Sequence, residues 1–584
     1  MTVVATAGHV DHGKSSLVLA LTGTNPDRFE EERRRGLTID LGFAHTTLPS
    51  GEALSFIDVP GHVRFLRNML AGVGGVDACL FVVAATEGWK PQSEEHLRIL
   101  QLLGLQHGVV ALTKADLVDD EWLELQTMDV RDRLAHTFLA DAPIVPVSST
   151  VGTGMSELAT ALDVLVRTTP AAADRQRPRL WIDRVFAAKG SGTVVTGTLT
   201  GGSVTIDQRL TVTPLMREVR VRNIQSHGLQ HGELGPGHRA ALNLVGVDHH
   251  ELTRGDALVV APQWRPTTRF DASLQVLAAL QHQVSRRGAY LAYIGSGEFP
   301  VRLRVLGSEA IAPGRSGLVR LHLAVPLPLT SGDRFVLRES GRNETVGGGE
   351  VLDVEPVLPA SKAHPDHSID RLIRERGWID SDDLAALTGE TREPTVGHWV
   401  VDPDALAATT AALRSRLAAA GPLGLDLAVL HEHERAVLGT LDQVRIEAGR
   451  AFPAAAADPL ADHPFVAALL AGGVTPPEPD GVDRAELREL VRRKLVVERD
   501  GLYFHPAAID TAAAQAAALL RVHPDGFTVS QLRDALGLTR KYALPLANEL
   551  DARGITRRRG DLRIAGPRLP DLAASPLAAN PDAS

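Results

Sequence analysis

The pattern of hydrophobic and polar residues changes twice along the chain. In the first third, short apolar runs such as "TVVATA", "LSFIDV", "ACLFVVAA" and "VVALT" alternate with helix-like segments such as "SSLVLALTG". Uninterrupted apolar runs of this length are typical of strands buried on both faces of a parallel sheet, with helices packed against it. The pattern therefore predicts an α/β domain over residues 1–172.

After a connector rich in proline and arginine (Thr168 to Arg179), the apolar runs shorten and Gly/Asp turns become frequent. Segments such as Leu180–Leu210 and Ala241–Val247 are rich in β-branched residues and read as short strands. This pattern predicts two small β-barrel domains, over residues 178–262 and 265–357.

From about His364 onward the pattern becomes helical, and helix pairs are followed by short β-like segments. This arrangement predicts tandem winged helices, about three over residues 364–522 and one over 523–569, followed by a disordered tail at 570–584. In the last unit, "FTVSQLRDALG" and "TRKYALPLANELDARG" predict two helices, and "ITRRRGDLRI" predicts a two-stranded wing that turns at Gly560 and Asp561.

Composition narrows the class of protein. The chain has 584 residues, of which 44% are hydrophobic and 23% charged, as expected for a globular protein of several domains. Its single cysteine, Cys79, lies in an apolar run and is expected to be a buried strand thiol, so a disulfide framework is excluded. No signal peptide and no membrane-spanning run are recognisable, and we expect a cytoplasmic protein.

The C-terminal winged helix is basic, although the whole chain has a formal net charge of -10. Residues 526–568 contain nine Arg or Lys and four Asp or Glu. The residues expected to contact a nucleic-acid backbone are Arg540 and Lys541 at the start of a helix and Arg557, Arg558 and Arg559 on the wing. Positive charge concentrated on one edge is typical of phosphate-backbone binding, and the alternative is a solvated face.

The first motif is "GHVDHGKS", Gly8 to Ser15, which lies between an apolar strand and a helix-like segment. It fits the pattern of a phosphate-binding loop, in which backbone N–H groups and the helix N-terminus hold the anion. Lys14 then contacts the β- and γ-phosphates, and the Ser15 hydroxyl is a ligand for Mg²⁺. The residues expected to bind nucleotide in this loop are Asp11, His12, Gly13, Lys14, Ser15 and Ser16.

Three further motifs follow in order, each at the C-terminal end of a predicted strand, where α/β sheets bind ligands. In "LSFIDVPGH", Asp58 is expected to hold Mg²⁺ through water, and the Gly61 N–H is expected to contact the γ-phosphate. In "VVALTKADL", the Asp116 carboxylate can accept both donors of the guanine N1/N2 edge, which favours GTP over ATP. In the third motif, "VPVSSTVGTG" (Val145 to Gly154), Ser148 and Ser149 are expected to lie near the guanine O6. The remaining expected base-site residues are Thr113 and Lys114 of "VVALTKADL".

Together these motifs resemble the GTPase domain of translation factors, and "GHVDHGK" with "DVPGH" resembles the elongation factor Tu group in particular. The resemblance implies that "RRRGLTID", Arg33 to Asp40, is switch I and that Thr38 reaches Mg²⁺ and the γ-phosphate. It also implies that His62 orients the attacking water as the catalytic residue. Thr113 departs from the usual Asn of the N-K-x-D motif, so nucleotide affinity is expected to differ from that of the group.

Over nearly its full length, with "RRRGLTIDLGFA", "LTKAD" and "GITRRRGD", the chain resembles the bacterial selenocysteine-specific elongation factors (SelB family). The resemblance implies an α/β P-loop GTPase domain, two β-barrels and tandem winged helices, with GTP or GDP and Mg²⁺ bound. It implies a monomer that carries selenocysteinyl-tRNA to the ribosome at UGA codons while its last winged helix binds an mRNA hairpin. The positions that match the family's selenocysteine pocket are Asp183, Arg184 and Arg239.

Chemistry supports such a pocket, because a selenol ionises at neutral pH whereas a serine hydroxyl does not, so cations favour the selenolate. The alternative for these three residues is ordinary barrel-surface charge. Alternatives for the whole chain are another tRNA- or ribosome-associated GTPase, or a GTP-regulated regulator that binds DNA through its winged helices. A zinc hydrolase is disfavoured because "HEHER", His431 to Arg435, lacks the H-E-x-x-H spacing.

Overall fold

The structure is a computed structural model. It describes residues 2–27, 32, 34, 37–188, 192–447, 449–454, 460 and 462–570. Most of the predicted tail, residues 571–584, and several residues of the predicted switch I lie outside the described residues. The chain divides into two compact units, Met1–Asp402 and Pro403–Ser584, and each is described by itself.

The first unit begins with a six-stranded sheet in the order β2-β3-β1-β4-β5-β6, in which only the β2–β3 pair is antiparallel. The strands are β1 Thr2–Gly8, β2 Gly42–Thr47, β3 Ala53–Asp58, β4 Ala78–Ala84, β5 Gly108–Thr113 and β6 Ile144–Pro146. The helices are α1 Lys14–Thr22, α2 Leu66–Val73, α3 Pro91–Leu102, α4 Asp120–Leu134 and α5 Met155–Thr168. Every residue of β1 and β4 is buried, as the uninterrupted apolar runs predict.

Parallel pairing brings the carboxyl ends of β1, β3, β4, β5 and β6 to one edge of this sheet, and the predicted motifs follow at that edge. At the end of β1 the backbone passes very close to β4. A Cβ atom on Gly8 would lie 2.1 Å from the carbonyl oxygen of Val82, and Gly8 has φ +134°. Only glycine fits there, so the first residue of the phosphate-loop motif is set by strand packing.

The first barrel closes through the β11–β12 pair into the ring β11-β16-β7-β9-β15-β12, β8 and β13 extend this sheet, and β10 and β14 form a separate two-stranded sheet. This region contains ten strands. They are β7 Arg179–Trp181, β8 Arg184–Ala188, β9 Gly192–Thr200, β10 Val204–Thr205, β11 Arg209–Thr213, β12 Arg217–Ser226, β13 Leu229–His231, β14 Glu233–Leu234, β15 His238–Val245 and β16 Ala257–Val259. Strand β9 pairs with both β8 and β15, which carry the predicted pocket residues Arg184 and Arg239, and Asp183 immediately precedes β8.

The second barrel is closed in the order β17-β22-β20-β19-β23-β24. Its strands are β17 Thr267–Val276, β18 Val284–Ser285, β19 Tyr290–Ile294, β20 Gly297–Leu306, β21 Ala310–Ile311, β22 Ser316–Leu327, β23 Arg334–Glu339 and β24 Glu344–Asp353. A first helical module follows, with α6 Ile369–Arg376, β25 Trp378–Asp380, α7 Ser381–Thr388 and β26 Trp399–Val401. Its residues Leu372, Ile379 and Leu384 share one hydrophobic core with the barrel, so the two pack as a continuous body.

The second unit contains helix and hairpin modules with their own cores. Its helices are α8 Pro403–Ala419, α9 Glu432–Leu438, α10 Pro464–Gly472, α11 Arg484–Arg492, α12 Pro506–Val522, α13 Val529–Leu536 and α14 Arg540–Ala552. Its strands are β27 Leu425–Asp426, β28 Val444–Glu447, β29 Arg450–Pro453, β30 Val497–Arg499, β31 Leu502–Phe504, β32 Phe527–Thr528, β33 Thr556–Arg559 and β34 Leu562–Ala565. The last module has the predicted wing, β33 and β34, in a sheet with β32.

The predicted fold class is confirmed: an α/β domain, two closed six-stranded barrels and a C-terminal winged helix. The predicted limits of each domain stay predictions. Among the described residues, no helix combines the length and the apolar character that crossing a bilayer requires.

Candidate functional site

The four sequence motifs meet around one cleft of about 510 Å³ at the carboxyl edge of the sheet. Most of the predicted nucleotide-binding residues line it. Those residues are Asp11, Gly13, Lys14, Ser15, Ser16, Thr38, Gly61, Thr113, Lys114, Asp116, Ser148 and Ser149. Val10 and Leu37 lie in the same wall, so the cleft combines polar groups for phosphate and base with an apolar side.

The phosphate-binding loop is held in shape by its own lysine. Lys14 is buried, and its Nζ donates to the carbonyl oxygens of Gly8, at 3.2 Å, and His9, at 2.7 Å. Burial lowers the pKa of Lys14 to about 8, although Asp58 and Asp11 oppose the shift. An anion in the cleft would stabilise the charged ammonium, so this position fits phosphate.

Three oxygen-bearing side chains meet below the loop. Ser15 Oγ donates to Asp58 Oδ2 at 2.6 Å and lies 2.8 Å from Thr38 Oγ1. Thr6 Oγ1 donates to the other carboxylate oxygen of Asp58 at 2.7 Å, which fixes the plane of the carboxylate. Burial raises the pKa of Asp58, and the hydrogen bond from Ser15 opposes that rise. Hydroxyl and carboxylate oxygens are the ligands that Mg²⁺ prefers, so these residues fit the ion.

Three predicted residues do not line the cleft. Two of them, His12 and Asp58, are fully buried behind the cleft wall. Desolvation lowers the pKa of His12 to about 4, so its imidazole is neutral. His62, the predicted catalytic residue, is half-buried beside Phe65, with ring centres 5.9 Å apart. Its Nδ1 accepts a hydrogen bond from the Arg64 backbone N–H at 3.1 Å. His62 thus lies at the end of β3, next to Gly61.

The base end of the cleft is tied to the phosphate loop through Thr113. Its Oγ1 lies 2.7 Å from the carbonyl oxygen of His12 and donates to it. Although threonine is shorter than the usual Asn of this motif, its side chain reaches the phosphate loop. Lys114 has φ +57°, and its Nζ lies 3.2 Å from Oε1 of Glu87. Asp116 follows in the next turn.

A tight approach explains the glycine of "DVPGH". A Cβ atom on Gly61 would lie 2.4 Å from Lys14 Nζ and 2.7 Å from the backbone nitrogen of Val10. Any other residue would displace the phosphate loop. The close packing places the Gly61 backbone against the loop at the phosphate end of the cleft, as its predicted role requires.

The predicted pocket residues also meet in the first barrel, where Arg184 on β8 and Arg239 on β15 lie on strands that both pair with β9. Arg239 Nη1 and Nη2 donate to the two carboxylate oxygens of Asp183 at 2.5 and 2.8 Å. Thr196 Oγ1 donates to the same carboxylate at 2.7 Å. The guanidinium groups of Arg239 and Arg184 lie 3.6 and 4.4 Å from the ring centre of Phe43, which follows switch I. Two cations therefore converge beside the GTPase domain.

Sequence reasoning did not identify several residues that complete these sites. Thr6 orients Asp58. Its position as a polar residue within the buried apolar strand β1 is a sequence signal that could have identified this role. Asp27 lines the cleft and accepts a hydrogen bond from Thr38 at 2.9 Å. Phe43 and Arg254 join the GTPase domain to the barrel, and no local pattern marks them because their partners are distant in sequence.

In the second unit, Arg557, Arg558 and Arg559 on β33 are exposed, as are Arg540 and Lys541 on α14. A further cation of this module, Arg563, is buried and donates to Asp551 at 3.0 Å and to Asn548 at 3.0 Å. Arg563 therefore braces the wing against α14 and does not add to the exposed charge.

Comparison with known proteins agrees with this geometry. The family model "Elongation factor Tu GTP binding domain" matches residues 1–168. The model "Selenocysteine-specific elongation factor, beta-barrel domain" matches residues 268–357, and "Elongation factor SelB, winged helix" matches residues 518–565. A P-loop GTPase domain of this type followed by two barrels defines the class of translational GTPases.

Two curated relatives are selenocysteine-specific elongation factors. The protein from Desulfomicrobium baculatum is 41% identical over 353 residues, 60% of this chain and 55% of its own length. The protein from Escherichia coli strain K12 is 38% identical over 360 residues, 61% of this chain and 56% of its own length. The alignments thus span little more than half the length of these relatives.

A crystal structure of a bacterial selenocysteine-specific elongation factor, EF-Sec, is similar over almost the whole chain. Its TM-score is 0.72 at 26% sequence identity, and the alignment covers 97% of this chain and 99% of that one. Over nearly its whole length the chain is thus similar to selenocysteine-specific elongation factors, and the two models specific to those factors match its second barrel and its last module.

The position of Asp116 in the cleft leads to a prediction about base choice. We expect Asp116→Asn to lower GTP affinity about 10- to 100-fold and to raise affinity for xanthosine triphosphate, because an amide offers a donor where xanthine carries an acceptor. Competition binding with a fluorescent nucleotide measures both changes. Asp120→Asn, an exposed neighbour on α4, is the control, and unchanged selectivity in Asp116→Asn would remove this residue from the base site.

Proposed function

We propose that this chain is a GTP-dependent elongation factor that carries selenocysteinyl-tRNA to the ribosome at UGA codons. The observation that carries the proposal is the convergence of Arg184 and Arg239 on Phe43, just beyond switch I of the GTPase domain. Such a pocket places two cations where nucleotide state can influence them. The similarity to selenocysteine-specific elongation factors supports the same conclusion.

In this proposal the cleft binds GTP and Mg²⁺. Asp116, Ser148 and Ser149 bind the guanine, and the phosphate loop with Lys14 binds the β- and γ-phosphates. Ser15, Thr38 and, through water, Asp58 hold Mg²⁺, which neutralises charge on the phosphate oxygens. The buried contact of Thr6 with Asp58 keeps this oxygen cluster in place.

His62 orients the water that attacks the γ-phosphate. The structure places its Nδ1 against the backbone of Arg64 and its ring beside Phe65, and it does not place the ring in the cleft wall. A rotation about the side chain is therefore part of the proposed reaction, in agreement with hydrolysis that the ribosome stimulates. Val10 and Leu37 line the cleft, and in this proposal they form an apolar gate between His62 and the nucleotide.

The selenocysteinyl group is proposed to bind at Asp183, Arg184 and Arg239. Because Asp183 forms a two-point ion pair with Arg239, the guanidinium has a fixed orientation before cargo arrives. A selenolate would share these cations, whereas an un-ionised seryl hydroxyl gains much less from them. Discrimination between the two aminoacyl groups therefore follows from charge.

The C-terminal winged helix is proposed to bind a hairpin in the same mRNA. Exposed arginines on β33 and cations at the start of α14 supply phosphate contacts, while Arg563 and Asp551 hold the wing in place. A GTP-regulated DNA-binding regulator is the second candidate from the sequence, and the match of residues 518–565 to the SelB winged-helix model favours binding of an RNA hairpin. We further propose that the protein acts as a cytoplasmic monomer.

The experiment that tests the whole proposal compares selenocysteinyl-tRNA with seryl-tRNA on the same tRNA body. The full-length protein, loaded with a non-hydrolysable GTP analogue or with GDP, is titrated with each. Strong binding of selenocysteinyl-tRNA in the GTP-analogue state alone supports the function. Equal binding of the two tRNAs would favour another tRNA-associated GTPase, and preferential binding of duplex DNA over an RNA hairpin would favour the regulator.

His62→Ala should leave GTP affinity nearly unchanged and slow ribosome-stimulated hydrolysis roughly 100-fold, since positioning of the water matters only in the reaction step. Single-turnover phosphate release measures the rate, and fluorescent-nucleotide binding measures the affinity. His136→Ala, an exposed histidine elsewhere in the domain, is the control. Equal rates in wild type and His62→Ala would exclude this role.

Arg239→Ala should weaken binding of selenocysteinyl-tRNA by about 1.5 to 3 kcal/mol and leave seryl-tRNA almost unaffected. The reason is that only the selenolate uses the charge. The affinity ratio of the two tRNAs is the measurement, and Arg217→Ala, an exposed ion-pair residue of the same barrel, is the control. Equal losses for both tRNAs would show that Arg239 contacts something other than selenium.

Replacing Arg557, Arg558 and Arg559 together with alanine should abolish tight hairpin binding. The slope of log K against log salt should flatten by about two to three, because fewer counterions are released. GTP hydrolysis and tRNA binding should be unchanged. The control replaces Arg414, Arg435 and Arg484, exposed arginines on other helices of the unit, and parallel salt slopes for wild type and the wing variant would mean that the wing is a solvated face.

A further inference from the structure

Arg254 contacts three functional parts of the first unit at once. It lies in the turn "LTRGD" of the first barrel, and its Nη2 donates to Asp40 Oδ1 at 2.7 Å. Its Nη1 donates to Asn68 Oδ1 at 2.9 Å, and its Nε donates to the carbonyl oxygen of Asp183 at 2.9 Å. Asp40 ends the predicted switch I, Asn68 belongs to α2 behind "DVPGH", and Asp183 belongs to the proposed cargo pocket. One guanidinium therefore joins both nucleotide-sensing segments to the pocket.

The backbone segment that links the cleft to the pocket is short, and hydrogen bonds hold it at successive residues. Thr38 Oγ1 lies 2.8 Å from Ser15 Oγ in the phosphate loop. The Ile39 carbonyl oxygen accepts a hydrogen bond from Asn68 Nδ2 at 2.7 Å. A displacement of Thr38 therefore also displaces Asp40, two residues further along, and with it the acceptor of Arg254.

The same segment then enters the pocket. The Leu41 carbonyl oxygen accepts a hydrogen bond from Arg184 Nη2 at 2.9 Å, and Phe43 lies under Arg184 and Arg239. These two contacts hold the segment against the barrel, but they do not touch α2. Arg254 is distinguished by contacting α2, switch I and the backbone of the pocket carboxylate together.

The charge on Asp40 supports this arrangement. Partial burial by itself would raise the pKa of Asp40, yet the hydrogen bond and positive charge of Arg254 hold that pKa below its ordinary value. The Arg254 and Asp40 side chains are 29% and 21% exposed, so the pair is partly screened from water. Each of the three nitrogens of the planar guanidinium donates a hydrogen bond, an arrangement that a lysine cannot reproduce.

We propose that Arg254 is the positioning residue that couples nucleotide state to the cargo pocket. A bound γ-phosphate favours the placement of Thr38 seen here, which presents Asp40 to Arg254. Arg254 then holds the Asp183 backbone so that the Asp183 carboxylate faces Arg239. This inference rests on the proposed function, and it describes how the bound nucleotide regulates the same pocket.

Coupling of this kind is reciprocal. If GTP strengthens cargo binding through Arg254, bound cargo must strengthen GTP binding over GDP binding by the same factor. A residue that only stabilised the domain interface would change affinity for cargo in both nucleotide states by equal factors. The ratio between the two states is therefore the informative quantity.

The first test measures selenocysteinyl-tRNA affinity of the full-length protein with a non-hydrolysable GTP analogue and with GDP. Arg254→Ala should lower the ratio of the two affinities about tenfold or more. Asp40→Asn, which keeps the size of the side chain, should lower it similarly, and the double variant should lower it no further. Arg209→Ala, which breaks an exposed ion pair of the same barrel, should leave the ratio unchanged.

The second test does not depend on tRNA. Hydrogen exchange of residues 181–187 reports the pocket backbone, since the Asp183 N–H donates to the Thr196 carbonyl oxygen at 2.9 Å. In wild type, this segment should be better protected with the GTP analogue than with GDP. In Arg254→Ala and Asp40→Asn the two nucleotides should give equal protection.

The outcomes distinguish the coupling role of Arg254 from the proposed function of the whole protein. An unchanged affinity ratio in both variants, or losses that are equal in the two nucleotide states, would overturn the role of Arg254. A wild-type protein that does not bind selenocysteinyl-tRNA would overturn the proposed function, and hydrogen exchange alone would then decide the coupling. The coupling would be contradicted if hydrogen exchange of residues 181–187 did not depend on the bound nucleotide in wild type. It would also be contradicted if that dependence persisted in Asp40→Asn.

Discussion

The segment from Thr38 to Phe43 contributes residues to both the nucleotide cleft and the proposed cargo pocket. The arrangement of the first unit depends on this constraint. At one end, Thr38 lies against Ser15 and the oxygen cluster of the nucleotide cleft. At the other, Phe43 lies under the guanidinium groups of Arg184 and Arg239. Because only a few extended residues separate these ends, the first barrel has to pack directly against the GTPase domain.

Arginines make most of the long-range polar connections in this unit. Arg177, in the connector after α5, is buried and lies 3.9 Å from the ring centre of Trp264, and burial lowers its pKa to about 10. It donates to Gln263 in the first barrel, Thr330 in the second and Ala386 in α7. A planar group with several donors can satisfy carbonyl oxygens from separate domains, whereas an ammonium group is a compact point charge. The domains are thus joined by directional contacts as well as by apolar packing.

The nucleotide cleft was predictable because its residues lie in short, continuous motifs. Each motif follows an apolar strand, and parallel pairing alone brings the strand ends together. The local chemistry of Lys14, Ser15 and Asp116 is the basis for the proposal that they bind phosphate, Mg²⁺ and guanine. The wing was predictable for a similar reason, since Arg557 to Arg559 alternate along one strand next to a turn glycine. The charge excess of that module was misleading at one position, because Arg563 pairs with Asp551 in the interior.

The sequence by itself determined the fold class, the nucleotide motifs and the exposed wing, because these features depend on periodicity and on neighbours close along the chain. Only the tertiary structure decided how the pocket is built. Phe43 and Arg239 are nearly two hundred residues apart, and Arg254 finds its partners at Asp40 and Asn68. It also decided that His62 lies outside the cleft wall and that Thr113 reaches the phosphate loop. Such contacts follow from the packing of whole domains, which no local pattern of residues encodes.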